Sequence, residues 1–289
     1  MSGHQPVLSQ EAITLLQPRP GSVAIDCTLG GAGHARLLLE AIQPGGRLLA
    51  IDRDPAAVAG GRAQLSEFEP SATVVGGDFA ELERIATEHG FAPAHAVLFD
   101  FGISSLQLDD PERGFSFRQP GPLDMRMDPG HPMTAARLVN EMPEPELAGV
   151  IRRLGEERWA ARIAQFIVNR RPLTTTRDLA AAVEAAVPRG AWPRGIHVAT
   201  RTFQAIRMAV NDELGSIERG LEGAVAILAP GGRVAAISFH SLEDRLVKTF
   251  FAGHQSLRRV TRRPVQPSEA ELKQNPRARS AKLRVAERI

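Results

Sequence analysis

Short apolar runs alternate with helix-forming stretches through the first hundred residues, and an aspartate stands at or just after the end of each run. The runs are residues 23–26, 48–52, 73–76 and 96–100, and the helical stretches are residues 33–42, 55–65 and 79–89. Such runs, each followed by a helix, are typical of parallel strands buried on both faces of a sheet. Right-handed crossovers between them predict a doubly wound, Rossmann-like α/β fold.

The alternation stops after residue 100, and residues 105–210 contain proline- and glycine-rich loops and helical patterns but no comparable apolar run. The later patterns are a strand at 233–239, a helix at 242–251 and two weak β-patterns at 257–260 and 282–286. The last two suit a hairpin that closes the sheet. We therefore predict one α/β domain formed by residues 1–104 and 211–289, with residues 105–210 inserted as a helical subdomain.

The charge of the chain is concentrated at its C-terminal end. The net charge of the 289 residues is +2, but residues 253–289 carry ten Lys/Arg and three Asp/Glu. This favours an anionic partner such as nucleic acid, with a solvated basic tail as the alternative. The sequence has neither an apolar run of about 18 residues nor a secretory leader, so we expect a cytoplasmic protein.

The glycine-rich turn at residues 26–34 follows the first apolar run and opens a helix. Glycines let the backbone come close to a ligand, and the amides of a helix N-terminus point at it. Asp52, Asp78 and Asp100 follow the next three strands, so the fold brings them to the same edge of the sheet. An acid after the second strand is typical of ribose binding, although Asp54 and Asp78 are also candidates for helix caps. The pattern predicts a nucleoside-type cofactor.

Asp52 does not distinguish NAD from S-adenosylmethionine, since both contain a ribose. The turn lacks the Gly-x-Gly-x-x-Gly spacing that binds the pyrophosphate of a dinucleotide. The basic tail also fits a nucleic-acid methyltransferase better than a dehydrogenase. We therefore prefer S-adenosylmethionine and keep an NAD-dependent oxidoreductase as the alternative.

Ten sequence blocks, spread in order over nearly the whole chain, resemble those of a known family. They are residues 4–8 (HQPVL), 26–34 (DCTLGGAGH), 50–55 (AIDRDP), 100–105 (DFGISS), 107–110 (QLDD), 113–117 (RGFSF), 121–128 (GPLDMRMD), 199–205 (ATRTFQA), 238–245 (SFHSLEDR) and 275–280 (NPRARS). With these blocks the sequence resembles the bacterial RsmH (MraW) methyltransferases, which methylate N4 of a cytidine in 16S ribosomal RNA.

The resemblance implies a class I methyltransferase sheet with S-adenosylmethionine as cofactor and 16S rRNA of the small ribosomal subunit as partner. The cofactor contacts that it implies are Ala32, Gly33, His34, Asp52, Phe79, Asp100 and Gln107. Ala32 stands where the family usually has glycine, so we expect backbone strain there. Ala35 replaces a common serine or threonine, which removes a hydroxyl beside the cofactor.

The chemistry of methyl transfer suggests which groups act on the acceptor. Transfer to an exocyclic nitrogen needs alignment rather than a covalent intermediate, whereas methylation at C5 of a pyrimidine generally needs a cysteine nucleophile. The only cysteine, Cys27, is expected to be a small buried apolar residue, and no metal site is predicted. Asp100 and His240 are the candidate catalytic residues, as acceptors of an N4 proton. The alternatives are that Asp100 serves the cofactor and that His240 packs beside a helix capped by Ser238 or Ser241.

Arginines and aromatic residues lie close together in the inserted subdomain, and further arginines lie in the tail. The candidate RNA contacts are Arg113, Phe115, Phe117, Arg118, Arg126, Arg258, Arg259, Arg277 and Arg279. This mixture suits an unstacked base and its phosphates, although the phenylalanines alternatively anchor a long loop. We predict a monomer or a homodimer. The alternative function is a catalytically weak RNA-binding or ribosome-assembly factor on the same fold.

Overall fold

We describe residues 6–289 of the chain in a computed structural model. Its seven strands are β1 (Val23–Asp26), β2 (Arg47–Asp52), β3 (Ala72–Gly76), β4 (Ala94–Asp100), β5 (Leu228–Ser238), β6 (Leu257–Arg259) and β7 (Lys282–Arg288). They form one sheet in the order β3-β2-β1-β4-β5-β7-β6. The first five strands run parallel, and β7 is antiparallel to both β5 and β6. The predicted Rossmann-like class I sheet is confirmed.

The described residues form thirteen α-helices. They are α1 (Ser9–Leu16), α2 (Gly33–Ile42), α3 (Pro55–Leu65), α4 (Leu82–Glu88), α5 (Ser105–Asp109), α6 (Ala135–Glu141), α7 (Glu144–Gly155), α8 (Ala160–Val168), α9 (Thr176–Ala186), α10 (Thr200–Val210), α11 (Glu213–Ile227), α12 (Ser241–Gly253) and α13 (Glu269–Gln274). None of these helices is long and apolar enough to cross a membrane.

The chain divides into two compact units. The sheet unit contains residues up to Gly102 together with Leu214–Ile289, and the helical unit is Ile103–Glu213. The boundaries that we expected from the sequence, after residues 104 and 210, differ from these by two and three residues. His4 and Gln5, which belong to the first of the ten sequence blocks, lie outside the described residues.

Both faces of the sheet are covered by helices, which explains why the strand sequences are almost uninterruptedly apolar. Ile25, Val97 and Phe99 pack with residues of α4, α11 and α12 in one core. Ala24 and Leu98, their neighbours in the same strands, pack with residues of α1 and α2 in the other. Successive side chains of a strand point to opposite faces, so each strand contributes to both cores.

The helical unit has a core of its own, formed mainly by α6 to α10 and by the loop that precedes α6. The Asn211 side chain fixes this loop, because its Oδ1 accepts from the Met127 amide at 2.7 Å and its Nδ2 donates to the Met125 carbonyl at 2.8 Å. Gly114 has φ of 70°, and a Cβ there would lie 2.1 Å from the Pro122 carbonyl oxygen. The loop is therefore a packed element of this unit.

Some elements differ from the prediction. The helix expected at 79–89 begins with a 3-10 turn, Phe79–Glu81, before α4. Helix α1 has no counterpart in the prediction. The stretch from about residue 200 to 228, predicted as one long helix or a pair of helices, is a pair, because Asp212 has φ of 45° between α10 and α11.

Candidate functional site

The turn between β1 and α2 takes a left-handed backbone at Gly30, with φ of 48°, and at Ala32, with φ of 59° and ψ of 12°. For a residue with a Cβ this conformation costs roughly 1–2 kcal/mol. The strain expected at Ala32 is therefore present. The Ala32 amide donates to the Leu29 carbonyl at 2.7 Å, so this N–H is used inside the turn.

The two other glycines of the turn have different surroundings. Gly31 is exposed, and a Cβ built on it would meet nothing within 4 Å. A Cβ on Gly33 would lie 3.0 to 3.2 Å from the ring of Pro6. The close approach at Gly33 is thus made by the chain itself, while the surface at Gly31 leaves space for a ligand.

Asp52 ends β2, and both of its carboxylate oxygens accept backbone hydrogen bonds. Oδ2 accepts from the Gly30 amide at 2.8 Å, and Oδ1 accepts from the Asp54 amide at 2.9 Å. Burial raises the pKa of the Asp52 carboxyl above its ordinary value, and these two bonds oppose that shift. The carboxylate is therefore fixed beside the turn, and each oxygen keeps a lone pair for a further donor.

Asp26 and Asp100 end β1 and β4 and bring a buried and a half-buried carboxyl to the same edge. Burial raises the pKa of Asp26 to about 7, and burial, with Asp26 and Glu243 nearby, raises the pKa of Asp100 well above its ordinary value. Thr28 contacts both residues: its amide donates to Asp26 Oδ1 at 3.0 Å, and its Oγ1 accepts from the Asp100 amide at 2.7 Å. Asp26 Oδ2 and Asp100 Oδ1 are buried without a hydrogen-bond partner.

His34 lies in the first turn of α2 and is buried. Its Nε2 lies 3.0 Å from the Val7 carbonyl oxygen, and its Nδ1 lies 3.6 Å from Asp100 Oδ2. The imidazole therefore links the start of the described chain to the end of β4. This contact was not expected from the sequence, which placed His34 only beside the cofactor.

Asp54 and Asp78 cap helices, which was one of the two sequence-based interpretations. Asp54 Oδ1 accepts from the Ala56 amide, and Asp78 Oδ1 accepts from the Ala80 amide. Phe79 follows Asp78 and is half-buried. Its ring packs edge-on against Phe99, with centroids 5.6 Å apart, so one side of this ring belongs to the core of the sheet unit.

His240 caps α12 itself, so the expectation that Ser238 or Ser241 would be the cap is wrong. Its Nδ1 accepts from the Glu243 amide at 3.4 Å, and its Nε2 lies 3.2 Å from Glu243 Oε1. Glu243 is fully buried, and its Oε2 accepts from the Phe239 amide at 2.8 Å. Both ring nitrogens of His240 thus face the same glutamate.

The remaining predicted cofactor contact, Gln107, belongs to the helical unit. It forms a capping box with Ser104 at the start of α5: the Ser104 hydroxyl accepts from the Gln107 amide, and Gln107 Oε1 accepts from the Ser104 amide, both at 3.2 Å. Gln107 is buried. A cofactor contact through this residue stays a prediction.

The predicted RNA contacts of the loop have intramolecular partners. Arg113 donates to the carbonyls of Arg126 and Met127, both at 2.9 Å. Arg126 is bound to Asp124 through two nitrogens, each at 2.8 Å. Phe115 is buried in the helical core, and these residues therefore hold the loop together.

Phe117 and Arg118 differ from each other in exposure. The Phe117 ring packs against His197 at 4.6 Å and against Phe203 at 4.8 Å, whereas Arg118 is exposed. Phe117 thus anchors the loop, as the alternative interpretation stated. Six arginines of the tail, which belongs to the sheet unit, are also exposed: Arg258, Arg259, Arg262, Arg263, Arg277 and Arg279.

The helical unit also contains a cavity of about 220 Å³. Its walls include Trp159, Val187 and Val198, and charged residues Glu157, Arg158 and Arg201 also line it. The indole Nε1 of Trp159 is buried without a hydrogen-bond partner. No sequence pattern had indicated this cavity.

Comparison with known proteins decides which family this arrangement belongs to. The chain matches the MraW methylase family over residues 1–289. It belongs to that family. A Geobacter sulfurreducens protein named Ribosomal RNA small subunit methyltransferase H is 52% identical, over 99% of both chains. A protein of the same name from Symbiobacterium thermophilum is 50% identical, over 99% of this chain and 96% of its own.

Membership in the MraW methylase family confirms the resemblance seen in the sequence, and S-adenosylmethionine is the cofactor. The fold agrees: a Clostridium thermocellum protein of known crystal structure superposes with a TM-score of 0.51 at 12% identity, covering 100% of both chains. At such low identity this similarity bears on the fold alone.

Two residues of the site had no assigned role in the sequence-based prediction. Asp26 was only the last residue of a strand, although its position beside three other strand-end aspartates was a usable signal. Glu243 lies in a helix and is buried beside His240, and nothing in its spacing indicated that its charge faces Asp100.

Proposed function

We propose that this chain transfers the methyl group of S-adenosylmethionine to N4 of a cytidine in 16S rRNA of the small ribosomal subunit. Family membership and the shared name of its relatives support an rRNA substrate. The observation that carries the assignment to a nitrogen is the half-buried Asp100 carboxyl at the carboxyl edge of the sheet, in a chain whose single cysteine is buried.

The residues of the turn fit the cofactor. Asp52 is held by two backbone amides beside the left-handed turn, and its remaining lone pairs suit the two ribose hydroxyls. Gly31 leaves open space on the same turn. We assign ribose binding to Asp52. We expect Asp100 and the segment from Ala32 to His34 to surround the sulfonium.

When bound, S-adenosylmethionine supplies an electrophilic methyl group on a positively charged sulfur. The chain must then hold the acceptor amine in line and receive one proton from it. Positioning of this kind contributes up to about 7–11 kcal/mol in ideal cases. In-line geometry is therefore the main task of the residues at the carboxyl edge of the sheet.

Cys27 is unsuitable for the covalent route to a ring carbon. It is 1% exposed, and burial followed by the charge of Asp26 raises the pKa of its thiol well above the ordinary value. A thiol in this state is not a thiolate nucleophile. This supports an exocyclic nitrogen as the methyl acceptor.

Asp100 is the proton acceptor in this proposal. A neighbouring positive charge lowers the pKa of a carboxyl, so the cationic cofactor favours the ionised form of Asp100 that can accept from an amine. His240 faces Glu243 with both nitrogens, so we assign it to holding the end of β5 beside Asp100 rather than to proton transfer.

The phosphates of the RNA are assigned to exposed arginines. Arg118 in the loop, and Arg259, Arg277 and Arg279 in the tail, are exposed and suit phosphate contacts. Arg258 is exposed as well but pairs with Glu287. Arg113, Arg126, Phe115 and Phe117 hold the loop that carries Arg118.

The proposal is tested by supplying the purified chain with methyl-labelled S-adenosylmethionine and small ribosomal subunits. Label must enter the RNA of the subunit and must not enter its proteins. The Asp52→Ala variant, which loses the ribose acceptor, serves as the negative control. Label found only on protein would contradict the proposal.

A further inference from the structure

Helix α8 carries a row of exposed arginines that the function proposed above does not use. Arg158 precedes the helix, Arg162 lies within it and Arg170 follows it. All three side chains are exposed. Twelve residues separate the first from the last, which corresponds to about 18 Å along a helix axis. Together with Trp159 and Phe166 we name them the α8 ladder.

Aromatic rings alternate with the guanidinium groups of the ladder. The Arg162 and Arg170 guanidinium carbons lie 5.4 and 4.9 Å from the centroid of the Phe166 ring. The Arg158 guanidinium carbon lies 5.6 Å from the centroid of the Trp159 ring. A guanidinium held by a ring face keeps its N–H groups in its own plane, where they can bind a phosphate in a bidentate manner.

The ladder differs from three other helix surfaces of this chain that carry arginines. Arg36, Arg84 and Arg137 each pair with a glutamate four residues later in the same helix. None of the three ladder arginines has a carboxylate partner among residues 6–289. Arg158 and Arg162 are instead like charges four residues apart, which is unfavourable in the isolated protein. An external anion would relieve this repulsion.

One end of the ladder borders the cavity of the helical unit. Arg158 and Trp159 both line this cavity, and the Trp159 Nε1–H has no acceptor. A partner that follows the ladder would therefore reach the aromatic ring of Trp159 and the charged side chains that line the cavity. A row of cations with aromatic planes suits a single-stranded nucleic acid, which offers phosphates, stacking bases and acceptor atoms.

We propose that the α8 ladder is an RNA-binding surface of the helical unit, in which Arg158, Arg162 and Arg170 contact backbone phosphates and the cavity end receives an unpaired nucleotide. This rests on the proposed function for the identity of the partner. It adds a further region of RNA contact to Arg118 of the loop and to the tail arginines.

Binding of a labelled single-stranded RNA of about 20 nucleotides, followed by fluorescence anisotropy at several salt concentrations, tests the ladder. The variant is Arg158→Ala/Arg162→Ala/Arg170→Ala in the full chain. The matched control is Arg36→Ala/Arg84→Ala/Arg137→Ala, which removes the same charge from three helix surfaces whose arginines are paired. Thermal unfolding of both variants checks that each is folded.

We expect the ladder variant to bind about tenfold or more weakly, and the slope of log K against log salt to fall by about 2, since each lost phosphate contact on a single strand contributes about 0.7. The control is expected to change affinity less than about threefold. Equal RNA affinities of the wild type and the ladder variant, or equal losses of affinity in the ladder and control variants, would contradict the proposal that the ladder binds RNA. Failure of the wild type to methylate subunit RNA would contradict the proposed function instead, so the two failures are distinguishable.

Discussion

His34 contacts the Val7 carbonyl and Asp100 with its two ring nitrogens: Nε2 lies 3.0 Å from Val7 O, and Nδ1 lies 3.6 Å from Asp100 Oδ2. Since a carbonyl oxygen only accepts, Nε2 carries a hydrogen, and Nδ1 is the ring nitrogen on the side of the carboxyl. Burial raises the pKa of this carboxyl well above its ordinary value.

Binding of S-adenosylmethionine should release a proton from Asp100. The raised pKa increases the protonated fraction of the carboxyl in the free chain, and the positive sulfonium favours its ionised form. We expect calorimetry at pH 7 in two buffers of different ionisation enthalpy to show release of up to about one proton. S-adenosylhomocysteine, whose sulfur is neutral, should release much less. Asp100→Asn should abolish the difference between the ligands, and equal release from both ligands by the wild type would contradict the assignment.

Asp52→Ala should greatly weaken cofactor binding. A hydrogen bond to a charged group contributes about 1.5–3 kcal/mol, so the loss of two ribose bonds predicts an affinity about 100-fold lower or worse. Asp54→Ala is the matched control: it removes the carboxylate that caps α3, which should lower stability by about 1 kcal/mol while changing affinity little. Titration calorimetry measures both. Unchanged cofactor affinity in Asp52→Ala would show that Asp52 does not bind the ribose.

Position 32 should tolerate glycine but not a branched residue. The left-handed backbone there is costly for any Cβ and more so for a β-branched side chain. We expect Ala32→Val to lower the free energy of unfolding by more than about 2 kcal/mol. In Ala32→Gly, relief of strain offsets the lost methyl burial to within about 1 kcal/mol. Urea unfolding compares the two, and similar values for both variants would show that strain at Ala32 is negligible.

The stability of the chain should fall as pH rises toward neutrality because of Asp26. Its pKa is raised by burial to about 7, so the folded state holds a proton that the unfolded state releases near pH 4. Stability from this proton is present at low pH and is lost as pH rises through about 7, by at most about 4 kcal/mol. Asp26→Asn keeps the bond from the Thr28 amide and removes the titration. In thermal unfolding, the stability of the variant relative to that of the wild type should rise between pH 5 and pH 8. A stability difference that does not depend on pH would contradict the raised pKa of Asp26.

The sheet could be predicted from the sequence because its strands are buried on both faces. Residues 23–26 were predicted as a strand and are β1 (Val23–Asp26), and residues 33–42 and 55–65 were predicted as α2 and α3 with these bounds. Helix α1 was missed, although Ala12 and Leu16 lie in the core. Its eight residues have left-handed residues at both ends and no side-chain cap, so the usual signals of a helix start were absent.

The sequence predicted which residues of the candidate site lie at the sheet edge, but not which of their side chains contact one another. Strand-end acids could be assigned to one edge because parallel strands share it. The contact of His34 with Asp100 and the burial of Glu243 depend on packing between elements distant in the chain, which periodicity does not encode. His240 as a helix cap was missed for a related reason, because serine is the more usual cap and two serines flank it.

The atom that receives the methyl group distinguishes transfer to the exocyclic nitrogen from transfer to a ring carbon. After reaction of the wild type and of Cys27→Ala with small subunits and labelled S-adenosylmethionine, the RNA is digested to nucleosides and the labelled nucleoside is identified by mass spectrometry. We expect label in N4-methylcytidine at one position of the small-subunit RNA. The Cys27→Ala variant should retain activity within about threefold, since a buried thiol contributes only to packing. Label at a ring carbon, abolished in a folded Cys27→Ala variant, would contradict this expectation.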